Sequence, residues 1–408
     1  MKKILLLNLC VMYFVSNVFA APVVSSANGD IEDGVTITIS GIDFGNKIGS
    51  AALCDYISEI ENGQSGETVS LENCTPGSLG YPKYSSKDSH SGSQSVVYEY
   101  NNQTSSFVSS LFEFDPQDKV YFTVWVKLDK QDALTRFQWK TWRLDNMGTY
   151  LHNDGPQVLH NTWWQDGRWF NSGGLMTYYD NGVAGCNEGT PNDAFVIGEW
   201  MRLEGYYQSS SEGGLNDGKI WVKRIGRDGN IFETETAITH GVNEMSEEYK
   251  WRYLLLGVGY SNHIPLEDSF EMNIFYDDIY VDNSLARVEI GDNPDFDSCT
   301  HREIQSLKEW GDNSLTVKIN KGSFNEGENA YLFVVDDNGL ASEGYPITIG
   351  ESSSMTFDVN VDGQVNVIDV IMCVNIVIGH ASGNADVNED GQTNVQDVTA
   401  LVNEILGN

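Results

Sequence analysis

The chain has few basic residues and an excess of acidic ones. Of its 408 residues, 24 are Lys or Arg and 59 are Asp or Glu, so the formal net charge is −35. A surface with this charge repels nucleic-acid phosphates and anionic lipid headgroups. The composition therefore excludes nucleic acid as an expected partner.

Cysteine is also scarce, and no common cofactor motif is present. Of six cysteines, Cys10 lies in the N-terminal apolar run, and an odd number remains after it. Such a count does not form the disulfide framework of a small secreted domain, although one or two bridges stay open. There is no Cys/His spacing typical of zinc, no Gly-rich phosphate loop after a strand and no Gly-x-Ser-x-Gly turn.

Long apolar runs are missing except at the N-terminus. Lys2 and Lys3 precede an apolar run that extends to Phe14, and Val18-Phe19-Ala20 before Ala21 ends the segment. This pattern predicts a signal peptide over residues 1–20 and hence a secreted, extracellular or cell-surface protein. No other run approaches the roughly 20 apolar residues that a membrane-spanning helix needs, so no membrane span is expected.

Most of the chain has the alternation of β-strands rather than helical periodicity. In Lys119 to Lys127, Val120, Phe122, Val124 and Val126 fall on one face, while the residues between them fall on the other. Similar stretches occur at 200–208, 219–223 and 270–281, separated by glycine and Asn/Asp turns. This predicts a mainly β protein built around a large two-sheet sandwich.

Residues 52–284 carry phrases that resemble the concanavalin A-like jelly roll of lectins, LamG modules and polysaccharide lyases. These are Ile197-Gly-Glu-Trp-Met-Arg-Leu-Glu-Gly-Tyr-Tyr207, Asn216-Asp-Gly-Lys-Ile-Trp-Val-Lys223 and Phe275-Tyr-Asp-Asp-Ile-Tyr-Val-Asp282. The resemblance implies a jelly-roll β-sandwich and an acidic position for a structural calcium ion. Asp277, Asp278 and Asp55 are the candidates for that ion, and the competing interpretation is that they end a strand and cap a turn.

The segments on either side of this region resemble the two halves of one TIG (IPT) immunoglobulin-like domain. Gly34 to Gly45 reads Gly-Val-Thr-Ile-Thr-Ile-Ser-Gly-Ile-Asp-Phe-Gly, similar to the opening strands of that family. Strand-like stretches at 286–291, 314–319, 330–339 and 345–350 are similar to its closing strands. We therefore expect residues 21–51 and 285–350 to form one discontinuous domain with the jelly roll inserted. The alternative is two unrelated small β modules.

The C-terminal segment contains one twelve-residue loop twice. Asp358-Val-Asn-Val-Asp-Gly-Gln-Val-Asn-Val-Ile-Asp369 returns 28 residues later as Asp386-Val-Asn-Glu-Asp-Gly-Gln-Thr-Asn-Val-Gln-Asp397. Oxygen side chains at loop positions 1, 3, 5, 9 and 12, a glycine at position 6 and a backbone carbonyl at position 7 are the pattern of a calcium loop. The expected calcium ligands are Asp358, Asn360, Asp362, Gln364, Asp369, Asp386, Asn388, Asp390, Gln392 and Asp397, two ions in all.

An apolar helical stripe follows each loop, and a glycine ends each helix. Val370, Cys373, Val374 and Val377 match Val398, Leu401, Val402 and Ile405, and Gly379 and Gly407 stand where C-terminal cap glycines occur. Residues 356–408 thus resemble a type I dockerin. The resemblance implies a small α-helical, calcium-folded module that binds a cohesin on another protein.

Aromatic residues gather in the middle of the predicted sandwich. Aromatic rings stack on the apolar faces of sugars, and alternate residues of one strand share a face. The carbohydrate-binding candidates are Trp139, Trp142, Trp163, Trp164, Trp169, Arg202 and Tyr206. The alternative is that about half of these tryptophans belong to the core.

A few residues of the middle region are candidates for catalysis. A lyase needs a base and a cation beside a uronate carboxylate, and His152, His160, Tyr150 and Arg168 are the candidates. The Q-I-H and Y-F-K-x-G strands of jelly-roll alginate lyases are absent, and so is a glycosidase E-x-D-x-E strand. Three hypotheses follow: a secreted polysaccharide-recognising protein with a dockerin, a polysaccharide lyase or glycoside hydrolase, and a structural or adhesive surface protein.

Overall fold

The computed structural model describes residues 20–49, 51–69, 82–101, 110–129, 136–145, 157–165, 168–171, 176–179, 182–184, 198–208, 218–226, 231–238, 250–260, 271–351, 357–360, 364–381, 383, 385–387 and 392–406. Residues 1–19 of the predicted signal peptide lie outside these ranges. The architecture is mainly β, with antiparallel sandwich-like sheets and a helical C-terminal region, as the sequence predicts. No helix in the described part of the chain is long and apolar enough to cross a membrane.

The large sandwich is built from residues between 54 and 282. Its strands are β3 (Cys54–Asp55), β4 (Lys83–Ser85), β5 (Ser95–Asn101), β6 (Ser110–Gln117), β7 (Lys119–Leu128), β8 (Arg136–Asp145), β9 (Gln157–Gln165), β10 (Arg168–Asn171), β11 (Met176–Tyr179), β12 (Gly182–Ala184), β13 (Trp200–Gln208), β14 (Gly218–Gly226), β15 (Ile231–Ile238), β16 (Trp251–Tyr260) and β17 (Glu271–Asp282). One sheet has the order β15-β14-β13-β7-β17-β5-β4, with β3 beside β17. The other has the order β12-β11-β9-β8-β16-β6, with β10 beside β9.

The core between these two sheets follows the alternation seen in the sequence. Val120, Phe122, Val124 and Val126 of β7 are all buried in it, so the prediction for this strand is confirmed. Met201, Leu203 and Tyr207 of β13 point into the same core, as the alternation of that strand predicts. The seven-stranded sheet closes the core with residues that include Leu144 and Leu254.

A second, smaller sandwich consists of strands from both sides of the large one. Its strands are β1 (Val23–Asn28), β2 (Thr36–Ile42), β18 (Arg287–Gly291), β19 (Arg302–Ile304), β20 (Ser306–Trp310), β21 (Ser314–Lys318), β22 (Asn329–Val335) and β23 (Tyr345–Thr348). They form two four-stranded sheets, β1-β2-β21-β20 and β19-β18-β22-β23.

Strand β2 joins the two stretches of sequence in this sandwich. Ile37 pairs with Val317 and Ile39 with Leu315, and all four side chains are buried in a core shared with residues of β18 and β22. Each β residue on one face of a two-sheet sandwich needs a facing sheet to bury it. Here the facing sheet and the partner strand come from the far side of the insertion.

The C-terminal region contains helices α1 (Val367–Val377) and α2 (Val395–Leu406). Cys373 and Leu401 are fully buried between them with Ala385 and Val387, so Cys373 is the small buried hydrophobe that the helical stripe predicts. Val374 and Ile405, which we placed on the buried stripes, are 36% and 38% exposed. Two short helices that pack together bury only the side chains along the line where they touch. Residues at the edges of both stripes are therefore partly exposed.

Candidate functional site

The last residue of each calcium loop is a buried aspartate held by backbone amides. Asp369 and Asp397 are both fully buried. Asp369 accepts hydrogen bonds from the backbone N–H of Asn360 at 3.1 Å and of Asn366 at 2.8 Å. Asp397 accepts from the backbone N–H of Val387 at 3.0 Å and of Asn394 at 2.7 Å. The two repeats thus close their loops in nearly the same way.

The asparagine at loop position 9 begins each helix. The side-chain oxygen of Asn366 accepts from the backbone N–H of Ile368, and that of Asn394 accepts from Gln396, both at 2.8 Å. In the first repeat the bonds between Asn366 and Asp369 form a capping box. Helix α1 ends before Gly379, whose φ of 76° is the left-handed conformation expected of a cap glycine. Gly407 falls beyond the described part of α2.

The described loop residues fit a hard cation. Asp358 is 6% exposed, and the backbone carbonyls of Gln364 and Gln392 at position 7 each accept from the asparagine two residues on. A buried carboxylate costs free energy unless a cation or hydrogen bonds compensate it. Carboxylate and amide oxygens are the ligands that Ca²⁺ takes. Asp362, Asn388 and Asp390 belong to loop positions that the structure does not describe.

Three of the predicted carbohydrate contacts are buried, and for these the prediction is wrong. Trp142 is 1% exposed in the large core, where its ring meets Phe122 edge to face at 5.0 Å. Arg202 and Tyr206 are 1% and 3% exposed. They do share one face of β13, as period-2 alternation requires, but the second sandwich covers that face. A polysaccharide cannot reach any of the three.

An ion-pair network joins the two sandwiches at this covered face. The Arg202 Nη1 donates to Glu289 at 2.7 Å and its Nη2 lies 2.7 Å from Glu204. Arg302 approaches both carboxylates, and Arg287 binds Glu289 at 2.5 Å. Burial alone would raise the pKa of Glu204, but the guanidinium groups of Arg202 and Arg302 lower it. Glu204 therefore serves as a structural anion.

For the remaining candidates the structure describes at most the backbone. Strand register places Trp164 between Phe137 and Trp169, Trp163 opposite Gln138, and Trp139 opposite Thr162. His160 stands opposite Trp142, and Arg168 stands opposite Gln165. Their side chains, and all of Tyr150 and His152, lie outside the described residues. Their roles stay predictions.

Asp277 and Asp278 are buried side by side on β17. Asp277 accepts from the backbone N–H groups of His90, Ser91 and Asp278, yet burial raises its pKa to about 8. Burial and the neighbouring carboxylates also raise the pKa of Asp278. Asp55 has other partners, Ser306 and Lys308. A calcium ion shared by all three aspartates stays a prediction.

Next to this pair lies a cluster that the sequence pattern did not reveal. The Nε2 atoms of His90 and His301 lie 2.7 and 2.5 Å from the same Glu303 oxygen, Oε1. Burial alone would raise the pKa of Glu303, but the two imidazoles lower it, and Glu303 in turn raises the pKa of His301. His90 and Glu303 are separated by 213 positions, so no local spacing rule connects them.

Comparisons with known proteins identify the C-terminal region and give distant matches among solved structures. The solved structures include the PL-14 alginate lyase from Aplysia kurodai, at 10% identity and TM-score 0.36 over 49% of this chain and 86% of that one. The endo-β-1,4-glucuronan lyase from Trichoderma reesei gives 12% and 0.36 over 54% and 94%. The Chlorella virus alginate lyase vAL-1 gives 10% and 0.35 over 57% and 99%.

No curated protein matches the chain. The family model described as "Dockerin type I domain" matches residues 356–406. That range contains both loop-helix repeats, with their buried closing aspartates and asparagine caps. Residues 356–406 are a type I dockerin domain.

Proposed function

We propose that this chain is an exported, modular protein that docks through its dockerin onto a cohesin-bearing partner in a calcium-dependent way. The observation that carries the proposal is the pair of loop-helix repeats in the dockerin match. Apolar side chains on the outside of α1 and α2 support it, because Val367, Ile368, Ile371 and Val395 are each more than half exposed. Exposed apolar surface of this kind is typical of an interaction site.

Calcium would be held by the oxygens of the two loops, one ion in each. In the described part these are Asp358, Asn360, the Gln364 carbonyl and Asp369 in the first loop, and Asp386, the Gln392 carbonyl and Asp397 in the second. The ion supplies charge that compensates the buried carboxylates. Since the structural ion of so small a module contributes to its folding, docking should depend on calcium.

The test is binding of the full chain to an immobilised type I cohesin, measured with excess calcium and with chelator. We expect retention in calcium that chelator abolishes. The exposed face should matter independently of calcium, so Ile371→Ser should weaken retention while calcium binding persists. Asp118→Asn, a substitution at a half-exposed residue of the large sandwich, is the matched control. Retention that chelator leaves unchanged would contradict the proposal.

We further propose that the large sandwich recognises a polysaccharide through its seven-stranded sheet. The second sandwich already covers Tyr121, Tyr206 and Arg202 of the other sheet. The remaining aromatic candidates, Trp139, Trp163, Trp164 and Trp169, fall on the adjacent strands β8, β9 and β10 of the seven-stranded sheet. We expect the wild type to be retained by at least one member of a panel of polysaccharides. At least one Trp→Ala substitution among these four should remove that retention without lowering Tm.

A lyase is the second candidate function. The observation that favours it is the register of β8, β9 and β10, which places Arg136 and Arg168 on either side of Gln165. Two guanidinium groups there would neutralise a uronate carboxylate, and His160 on β9 or Tyr150 and His152 before it would supply the base. Absorbance of unsaturated products from alginate or glucuronan would reveal this activity. A protein that retains glycan and releases no such product is a binding protein.

A further inference from the structure

His90, His301 and Glu303 come together where the two sandwiches meet. His90 follows β4 in the large sandwich, whereas His301 and Glu303 belong to the segment at β19 in the small one. One donor atom from each side chain lies within 4.8 Å of the other two. Two imidazole nitrogens and one carboxylate oxygen are a common ligand set for zinc and related ions.

Neighbouring groups hold all three side chains in place. The His90 ring stacks on Trp125 at 3.7 Å and 15°, and the His301 ring stacks on Phe324 at 4.1 Å and 22°. The second oxygen of Glu303 accepts from Trp125 Nε1 at 2.9 Å. Contacts that fix the ligands in advance reduce the cost of ordering them around an ion.

The local charge favours a cation. Glu303, Asp277 and Asp278 are all buried, and the described residues include no Lys or Arg in an ion pair with any of them. The ion-pair network nearby differs, since Arg202, Arg287 and Arg302 surround only Glu204 and Glu289. One Asp278 oxygen has no hydrogen-bond partner in the described part of the chain. A divalent ion would place beside Glu303 the positive charge that no Lys or Arg of the described residues supplies there.

We propose that His90 Nε2, His301 Nε2 and Glu303 Oε1 bind one divalent transition-metal ion, with Zn²⁺ the expected occupant. Zinc bonds of about 2.0–2.2 Å place tetrahedral ligand atoms roughly 3.3 Å apart. The two imidazoles lie 2.7 and 2.5 Å from Glu303 Oε1 and need to retreat from it by less than about 1 Å, while their own donor nitrogens, within 4.8 Å of each other, close to the same spacing. The His301 side chain is 24% exposed, which gives access for the ion and for a water as fourth ligand. The bound ion would link the two sandwiches.

The experiment uses the full chain, stripped with chelator and returned to excess calcium so that the dockerin loops are filled. Zn²⁺ is then titrated calorimetrically, and Co²⁺ is followed by its visible absorption. We expect one tight site per chain in the wild type. His301→Asn and Glu303→Gln should each weaken it at least about tenfold, by comparison with the 10–100-fold cost of losing outer-shell groups. His380→Asn, at an exposed histidine of the dockerin, should bind as the wild type does.

Circular dichroism reports whether each variant folds, and anomalous scattering from a Zn²⁺-soaked crystal locates the ion without any variant. A peak between His90, His301 and Glu303 supports the proposal. Wild-type affinity in both folded variants, or a peak only elsewhere, overturns it. In that case the cluster is a hydrogen-bonded contact in which both imidazoles donate to Glu303. Cohesin docking is measured separately, so either result leaves the dockerin function untouched.

Discussion

At the scale of single residues, burial excludes Trp142 from contact with a ligand. Trp142 is 1% exposed and packs against Phe122. Replacing a core Trp by Ala removes its burial and leaves a cavity, at a cost of about 3–5 kcal/mol. We therefore expect Trp142→Ala to reduce the free energy of unfolding by this amount, measured by urea denaturation. A variant that unfolds like the wild type but loses glycan retention would contradict this placement.

Asp282 gives a pH dependence of stability. It is fully buried with Lys47, and burial raises its pKa from 3.8 to about 6 although Lys47 opposes the shift. A carboxyl whose pKa is raised on folding binds more protons when folded, so its contribution to stability falls as the pH rises from about 4 to 6. At 1.36 kcal/mol per pKa unit, this loss is at most about 3 kcal/mol.

Asp282→Asn should remove that component. Thermal unfolding between pH 4 and 7 should show the wild type losing stability relative to the variant as the pH rises. Equal pH slopes in the two proteins would show that Asp282 ionises as freely in the folded chain as in the unfolded one.

At the scale of elements, the calcium loops control the dockerin helices. Asp358 and Asp386 occupy position 1 of the two loops, and the closing aspartates lie in the first turns of α1 and α2. Asp358→Ala with Asp386→Ala should leave residues 356–408 unfolded, because position 1 supplies a ligand to each ion. Hydrogen exchange of the full chain should then be fast in this region in calcium, as in chelator-treated wild type, while the sandwiches stay protected. Protection that survives in the double variant would show that the helices fold without the ions.

The sequence predicted the strands and helices better than it predicted which of their faces other parts of the molecule cover. The alternation of β7 identified its core face correctly, and the repeated loops located both helices, because each signal depends on neighbours in sequence. Arg202 and Tyr206 were placed on the correct face of β13, but period-2 alternation cannot reveal that a second sandwich packs on that face. His90 and His301 were missed for a related reason, since only the tertiary fold brings them together.

At the scale of the whole molecule, strands that precede and follow the large sandwich share one sheet. Because β2 pairs with β21, we predict that residues 285–350 alone lack a partner strand and do not fold. Deleting residues 52–284 and joining the ends by a short linker should leave a folded β domain, detected by cooperative thermal unfolding. A cooperatively unfolding 285–350 fragment would show instead that the two stretches are independent modules.

The chain passes between the two sandwiches twice, once after β2 and once between β17 and β18. Two covalent crossings change how the protein responds to a protease. After a cut in the first connection the large sandwich stays covalently joined to the dockerin-bearing part through the second, and after a cut in the second it stays joined to β1 and β2, which pair with β21. In a chain of domains joined end to end, the same cut would release the terminal module. Here a tethered protein loses its large sandwich only when the buried ion pairs of Arg202 and Arg302 separate and, in addition, either both crossings are cut or the second is cut and β2 leaves its pairing with β21.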